Sequence, residues 1–477
     1  MPNKKNTKRK PAKKLKANIK LAKNDCSRIA NFFNLYWPYL ILLMIIATSV
    51  TLKLYYLKDN LHFNIDEANQ IKTIVSIYSE KIFPLKGPSA SGDTGLYHGA
   101  YYYYLYFLPT LLSKGSPLTL GIFTLLLNTL SLPLLFFTLK KTFSLQLALY
   151  ATLIMATSST IIYYSRWAWN PNLIPFFFIL ALFSLGQINS KKPWWLIIFA
   201  FAISSISQLH IGASFYIIIF ILMLPLFFRV TKDIKIYLAS VLALLLPWIP
   251  TIIYESQNGW SLFGNLFKKI SQEEIIDTSF AGHATKGWEF LAQTFTATIY
   301  LPQIILILSL LAFLGLLVFQ TKWRDREKCL LPIFIAISLI FSFSSCSYYN
   351  GSLFTHYAEE FFVILPIISA LLIENFAREK VLSFGAVAIL VTFAINNYLA
   401  LQNDIIVGNP SFAIQNRICR NLKDRGLDQV TIKINGQTDP EYIKYICQKY
   451  YSINFANEVH VEVDTNSTKG FSYKVIN

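Results

Sequence analysis

The chain has 477 residues, of which 54% are hydrophobic, 16% aromatic and only 14% charged. That is too apolar for a water-soluble protein of this size, and several apolar runs of about 20 residues, the length that crosses a bilayer, identify a polytopic membrane protein. The net charge of +17 does not point to nucleic acid, because eleven of the Lys and Arg residues lie before residue 31, beside a single acid, Asp25.

Residues 1–34 therefore read as a basic cytoplasmic tail near anionic lipid, which sets the N-terminus inside. No small-residue cleavage site follows the first apolar run, so a cleaved secretion signal is not expected. Leu35 to Leu57 is the first span, and residues 58–117 form the first outer loop. Inside that loop the apolar, tyrosine-rich stretch 101–112 has about 12 residues, short of the ~20 that a crossing helix needs. It is expected to be an interfacial or re-entrant helix, since Tyr favours the headgroup level. Further spans are expected at 118–139, 144–164, 173–189, 194–209, 211–228, 236–254, 297–319, 329–349, 358–376 and 381–400, eleven in all. With 101–112 not crossing, Lys140-Lys141, Lys191-Lys192, Arg229/Lys232/Lys235, Lys322/Arg324/Arg326/Lys328 and Arg378/Lys380 all fall on inner loops. This is the bias that fixes membrane topology, and the opposite assignment puts nearly all of them outside.

Residues 35–400 thus form an all-α transmembrane domain, and 401–477 a small α/β extracytoplasmic domain near the lower size limit for independent folding. In the latter, a helix at 412–424 precedes a strand at 429–434, a second helix starts at 439–441, and strands at 458–464 and 471–476 close it. Cys419 and Cys447 fall on its two helices. They form a disulfide if the domain is outside, or stay as two buried thiols. The five cysteines show no metal spacing, and no repeat, Walker, Rossmann or zinc pattern is present.

The outer face collects the unusual residues. Asp66 and Glu67 follow the first span, where a carboxylate suits a general base or a cation ligand; a helix cap or a solvated loop acid accounts for them equally. The Gly- and Ser-rich stretch from Leu85 to Tyr101 carries Lys86 and His98. It is either a phosphate-cradling loop or an ordinary surface loop. Arg166 opens the turn Arg166-Trp-Ala-Trp-Asn170-Pro171. A guanidinium fork fits phosphate, whereas a snorkelling arginine between belt tryptophans is the rival reading. His210, between two apolar spans, is a ligand or a helix-contact residue. His283 and Lys286, in the outer loop 255–296, read as solvated. In His356-Tyr357-Ala-Glu359-Glu360, either a carboxylate faces the site or both acids cap a helix N-terminus.

A carboxylate base, cationic groups and a long apolar wall on one face suit a substrate with a lipid tail and a phosphate headgroup. Sugar transfer from such a donor needs a base for the acceptor hydroxyl, cations or a metal for the leaving phosphate, and a groove for the prenyl chain. Direct displacement inverts the anomeric carbon. Three short stretches then carry a family resemblance: Asp66-Glu67 after the first span, Gly95-Leu-Tyr-His98-Gly-Ala-Tyr101-Tyr-Tyr-Tyr104-Leu, and Tyr164-Ser165-Arg166 with Asn170-Pro171 and Pro175-Phe-Phe. In their order and spacing, over roughly residues 35–255, the sequence resembles the GT-C superfamily of integral membrane glycosyltransferases, in the branch of protein O-mannosyltransferases and bacterial aminoarabinose transferases.

The resemblance implies a many-helix fold with two amphipathic helices in the first outer loop, and a polyprenyl-phosphate monosaccharide donor. Asp66 matches the family's first-loop catalytic aspartate, and Glu67 its neighbour. Tyr97-His98-Gly99 stands where many members have His-Pro-Pro, and Asn170 stands near where many have an acid. Asp66 and Glu67 are thus the expected catalytic residues, and the candidate ligands if a divalent metal ion takes part. Lys86, His98, Tyr101, Arg166, Asn170, His210, His356 and Glu359 are the expected substrate-binding residues. The acceptor is expected to be an extracytoplasmic protein, lipid or envelope glycan. A transporter or flippase for lipid-linked sugars and a non-catalytic assembly factor are the rivals. The Lys-, Asn- and Ile-rich composition points to an AT-rich prokaryotic genome and so to a bacterial plasma membrane.

Overall fold

The computed structural model describes residues 35–55, 57–90, 95–262, 264–265, 279–319, 329–349, 353–406, 412–434, 437–438, 440–467 and 470–476. The basic tail, Ser91 to Thr94 and the inner-loop residues Lys322 to Lys328 lie outside them. Among the described residues six helices are long and apolar enough to cross a membrane, or seven if one bent pair counts as a span. The six are Leu35–Leu54, Pro117–Thr142, Ile234–Gln257, Leu330–Ser347, Phe361–Arg378 and Ser383–Gln402. Four more apolar helices, Leu145–Thr157, Pro171–Gln187, Trp195–Leu209 and Ile211–Phe227, are shorter than 18 residues. Length and composition therefore account for six or seven of the eleven expected spans.

Local chemistry explains the short ones. At Ser158 the backbone leaves the helical region (ψ 124°), and the Ser158 hydroxyl caps the next helix, Ser159–Tyr164. That hydroxyl also donates to the Thr298 carbonyl at 2.7 Å. One expected span is thus broken where it meets a neighbour. The expected loop 255–296 needs correction: a 20-residue helix, Phe280–Ile299, occupies its end. It stops at Tyr300, whose φ of 56° is left-handed, and Pro302 follows. The chain then turns through 102° into Gln303–Phe319. His283 and Lys286 are therefore half-buried helix residues, not solvated loop residues. The His283 ring meets the Ser347 carbonyl at 3.1 Å, and Lys286 donates to the Tyr349 carbonyl.

Phe361–Arg378 is the central column, with Phe361 to Glu374 buried without a break. A helix apolar all round must be enclosed by others. The first span is peripheral, with Leu35, Leu40, Leu43 and Met44 exposed, as a lipid-facing helix should be. One end of the bundle is tied together by polar contacts from Lys140 to the Tyr39 hydroxyl, from Lys141 to Gln187, and from Ser144 and Arg378 to Glu374.

At the opposite end the stretch 101–112 does not cross. It forms two short helices, Tyr101–Leu105 and Phe107–Ser113, that meet at Tyr106. The single expected helix is interrupted there because the Tyr106 side chain is drawn inward, its hydroxyl 2.5 Å from Thr124 Oγ1. Tyr102, Tyr103 and Tyr106 are buried in protein.

Beyond residue 406 lie two helices, Phe412–Asp424 and Glu441–Tyr451, and a four-stranded sheet of order β2-β1-β3-β4. Strand β1 (Gln429–Ile434) runs parallel to β3 (Asn454–Ser467) and antiparallel to β2 (Gln437–Thr438), and β4 (Gly470–Ile476) is antiparallel to β3. A disulfide joins Cys419 to Cys447 and so links the two helices. In a unit this small such a bond restricts the unfolded chain, worth about 3 kcal/mol for a loop of this length. Reduction should raise the thiol count of the denatured protein by two. It should also lower the temperature at which residues 412–476 open, as read by hydrogen exchange.

Candidate functional site

The first-loop helix, Ile65–Ser79, starts with a capping box. The Asn64 side chain caps the first turn, and the Asn64 N–H donates to Glu67 Oε2 at 2.7 Å. Glu67 Oε1 faces His62 Nδ1 at 3.6 Å. Glu67 is thus buried and committed to structure. Asp66, one residue earlier on the turn, points out and carries no hydrogen bond or ion pair among the described residues. Partial burial and the Glu67 charge raise its carboxyl above the usual aspartate range, with His62 pulling the other way. One acid of the pair builds the helix end, and the other is exposed.

Arg166 lies at the end of the helix Ser159–Tyr164, buried, and donates to the Leu52 carbonyl at 2.6 Å. That contact brings it to the C-terminal end of the first span. Lys53, the next residue, is also buried, with Nζ 3.4 Å from Thr129 Oγ1. Arg166 and Lys53 repel each other. A buried lysine and a buried arginine are costly to desolvate, the more so when both carry charge. The sequence reading missed Lys53, although a lysine inside an otherwise apolar span is itself a signal.

A chain of contacting rings continues from there. His62 lies 4.1 Å from Trp167, Trp167 4.9 Å from Trp169, and Trp169 4.4 Å from His356, between ring centroids. His356 then contacts Tyr357 at 4.7 Å, Tyr357 contacts His210 at 5.5 Å, and His210 contacts His98 at 4.9 Å. Five distant segments thus share one wall. The tryptophans, one reading of which was a membrane belt, are internal to it. His98 Nδ1 accepts from the Ile211 N–H at 3.1 Å, which leaves its proton on Nε2. Asn170 donates to the Leu209 carbonyl at 2.7 Å and so holds the turn that carries His210. Two glycines let the loops approach: a Cβ on Gly87 or Gly99 would run into the backbone of residues 98–99 or 208.

Glu359 is fully buried, and neither of its carboxylate oxygens has a hydrogen-bond partner. Tyr106 and Tyr164 lie within its electrostatic reach. The capping alternative for these acids does not hold: the helix Phe361–Arg378 has no side-chain cap, and Glu360 accepts from the Ser342 hydroxyl. An unsatisfied buried carboxylate requires an explanation beyond folding. Tyr101 packs on Phe177 and Phe201, with the Ser205 hydroxyl 3.4 Å from its own. Lys86 lies apart, exposed, its ammonium 5.0 Å from the Tyr97 ring and 5.9 Å from Tyr254. Tyr97 donates to the buried Glu255.

The donor set does not fit a metal held by the protein. Among the described residues no three His, Cys, Asp or Glu side chains converge, and Glu67 is spent on the helix cap.

No protein-family model matches the chain, and no curated protein matches it. Solved structures do. ArnT from Cupriavidus metallidurans bound to undecaprenyl phosphate superposes with a TM-score of 0.55 at 10% identity, covering 89% of this chain and 93% of that one. The apo oligosaccharyltransferase of Archaeoglobus fulgidus gives 0.52 at 10% identity, covering 89% and 65%. The archaeal enzyme AglB in complex with an inhibitory peptide and a dolichol-phosphate gives 0.53 at 12%, covering 88% and 60%. The chain thus spans somewhat less than two thirds of the archaeal enzyme's length and nearly all of ArnT's. At these identities the likeness is one of fold: the protein is an integral membrane protein that shares the fold of ArnT and the archaeal oligosaccharyltransferase, the many-helix fold that the sequence resemblance implied.

Burial and the neighbouring imidazoles hold His98 well below the usual histidine value, and burial and His210 bring His356 to about 3. Both are neutral in the folded protein at pH 7. The unfolded chain takes up these protons near pH 6.5, so the stability they contribute is complete above that pH. It falls below it by about 1.4 kcal/mol per pH unit for each such ring. The thermal midpoint in detergent should therefore drop between pH 6.5 and 5, and His98→Asn should flatten that drop. A midpoint constant over the range would show that these rings are protonated without penalty.

Proposed function

We propose that the protein is a glycosyltransferase that moves a monosaccharide from a polyprenyl-phosphate-linked donor to an extracytoplasmic acceptor, with inversion at the anomeric carbon. The observation that carries this reading is what gathers around one end of the first span. An unengaged carboxylate, Asp66, stands on the first turn after the first span, and that span's end holds two buried cations, Lys53 and Arg166. ArnT with undecaprenyl phosphate and AglB with a dolichol-phosphate support a lipid phosphate as the ligand of such a fold.

Asp66 takes the proton of the acceptor hydroxyl, and its raised pKa makes it a better base than an ordinary aspartate. The acceptor oxygen attacks the anomeric carbon as the bond to the phosphate oxygen breaks. The electron pair leaves on the polyprenyl phosphate, whose charge Arg166 and Lys53 stabilise. In the dry interior two such cations act strongly, and binding the phosphate relieves their mutual repulsion. Glu359, lacking a partner of its own, accepts hydrogen bonds from hydroxyls of the donor sugar. The His98–His210–His356 wall keeps neutral rings against the same space. Apolar faces between helices take the prenyl chain. The disulfide between Cys419 and Cys447 supports an extracytoplasmic C-terminal domain.

Sugar transfer from a panel of radiolabelled polyprenyl-phosphate monosaccharides, with membrane extract as acceptor source, tests the reading. Asp66→Asn should reduce turnover by about 10²–10⁴-fold, the usual contribution of a general base, while donor binding survives. The acid limb of the wild-type rate profile should lie above the ordinary aspartate range. Lys53→Met should instead weaken donor binding. Full turnover in Asp66→Asn removes that residue as the base; no transfer from any donor removes the reaction.

A further inference from the structure

The segment that delivers Asp66 is held from the far end of the chain. The Phe412 N–H donates to the Leu61 carbonyl at 3.0 Å, and Gln415 Nε2 donates to the Phe63 carbonyl at 2.7 Å. Phe63 is 2% exposed. Its ring centroid is 6.4 Å from that of Phe412 and 5.8 Å from that of Tyr445. Asn64, the cap residue, follows at once, and Asp66 is two residues further. A second grip lies at the other end of the same outer loop. Tyr445 donates to the Gly115 carbonyl at 2.6 Å, and Lys449 donates to that of Lys114. Both acceptors sit in a left-handed turn, with φ of 53° at Lys114 and 76° at Gly115. A third contact, the ion pair of Lys72 with Glu441, binds the flank of the Asp66 helix. One grip comes from the helix Phe412–Asp424 and the other from Glu441–Tyr451, and the Cys419–Cys447 bond locks these two helices together.

We propose that the C-terminal domain is a clamp that positions Asp66, with Gln415 as its principal positioning residue. This rests on the reading of Asp66 as the base. The first-loop segment has no regular structure between Leu61 and Asn64 to fix it, and its carbonyls at 61 and 63 point into protein. Without residues 412 and 415 those carbonyls lose their buried partners, and Phe63 loses its pocket. The helix carrying Asp66 is then free to tilt against the membrane surface. Misplacing a base lowers the rate of proton transfer without changing the grip on the donor phosphate, which Lys53 and Arg166 hold from the other side.

The test uses the full chain with Gln415→Met, which keeps the volume and removes the donor, and with Tyr445→Phe, which keeps the ring against Phe63 and removes the bond to Gly115. The amides of residues 64–68 should exchange about tenfold faster in Gln415→Met, the effect of one lost buried hydrogen bond. Under the same conditions kcat should fall by about as much while the donor KM stays at the wild-type value. Unchanged exchange in both variants overturns the clamp, as does faster exchange with wild-type kcat. If the wild type transfers from no polyprenyl-phosphate sugar, the functional reading fails, and the exchange data then judge the clamp alone.

Discussion

A polar group below the membrane surface has no water to turn to, so the protein must satisfy it or leave it for a ligand. That constraint sorts the molecule into two ends. At one, charges and amides close on each other: Glu374 accepts from both Ser144 and Arg378, and Lys141 reaches Gln187. Those contacts are complete and ask for nothing further. At the other, Glu359 is sealed with both oxygens unsatisfied, and Lys53 is sealed beside a second cation.

The neighbouring acids Asp66 and Glu67 show how one dipeptide divides its labour. Glu67 spends its carboxylate on the Asn64 N–H and on His62, which makes the helix start where it does. Asp66 is thereby presented at a fixed height above the first span. His62 continues into the wall of rings through Trp167, so the start of the Asp66 helix is tied by side-chain contacts to the turn at 166–172 and to the histidines. The rigidity comes from aromatic packing and from close backbone approach at Gly87 and Gly99, where a side chain would not fit.

The two C-terminal helices fit the same logic. Two of their contacts fall on the stretch between the first span and the Asp66 helix, where the chain has no regular structure of its own. A surface ion pair such as Lys72–Glu441 is worth at most about 1 kcal/mol. The buried bonds to the carbonyls of Leu61 and Phe63 matter more, because their loss leaves orphaned groups.

The sequence by itself determined the class of fold and the tyrosine stretch too short to cross, because hydrophobic length is a local signal. It also placed the elements of the small terminal domain, whose helix 412–424 and strand 429–434 have the expected limits. It did not determine which acid of the pair is free, since a capping box depends on backbone geometry at Asn64. It gave no sign that Ser158 breaks a span or that residues 280–299 are helical, because both follow from contacts with distant helices. Lys53 was legible as a lysine within an apolar run, whereas Glu359 was masked by an adequate local explanation as a cap. Only tertiary structure decides which polar groups find partners, because in a bundle of helices the partner is almost always far away in the chain.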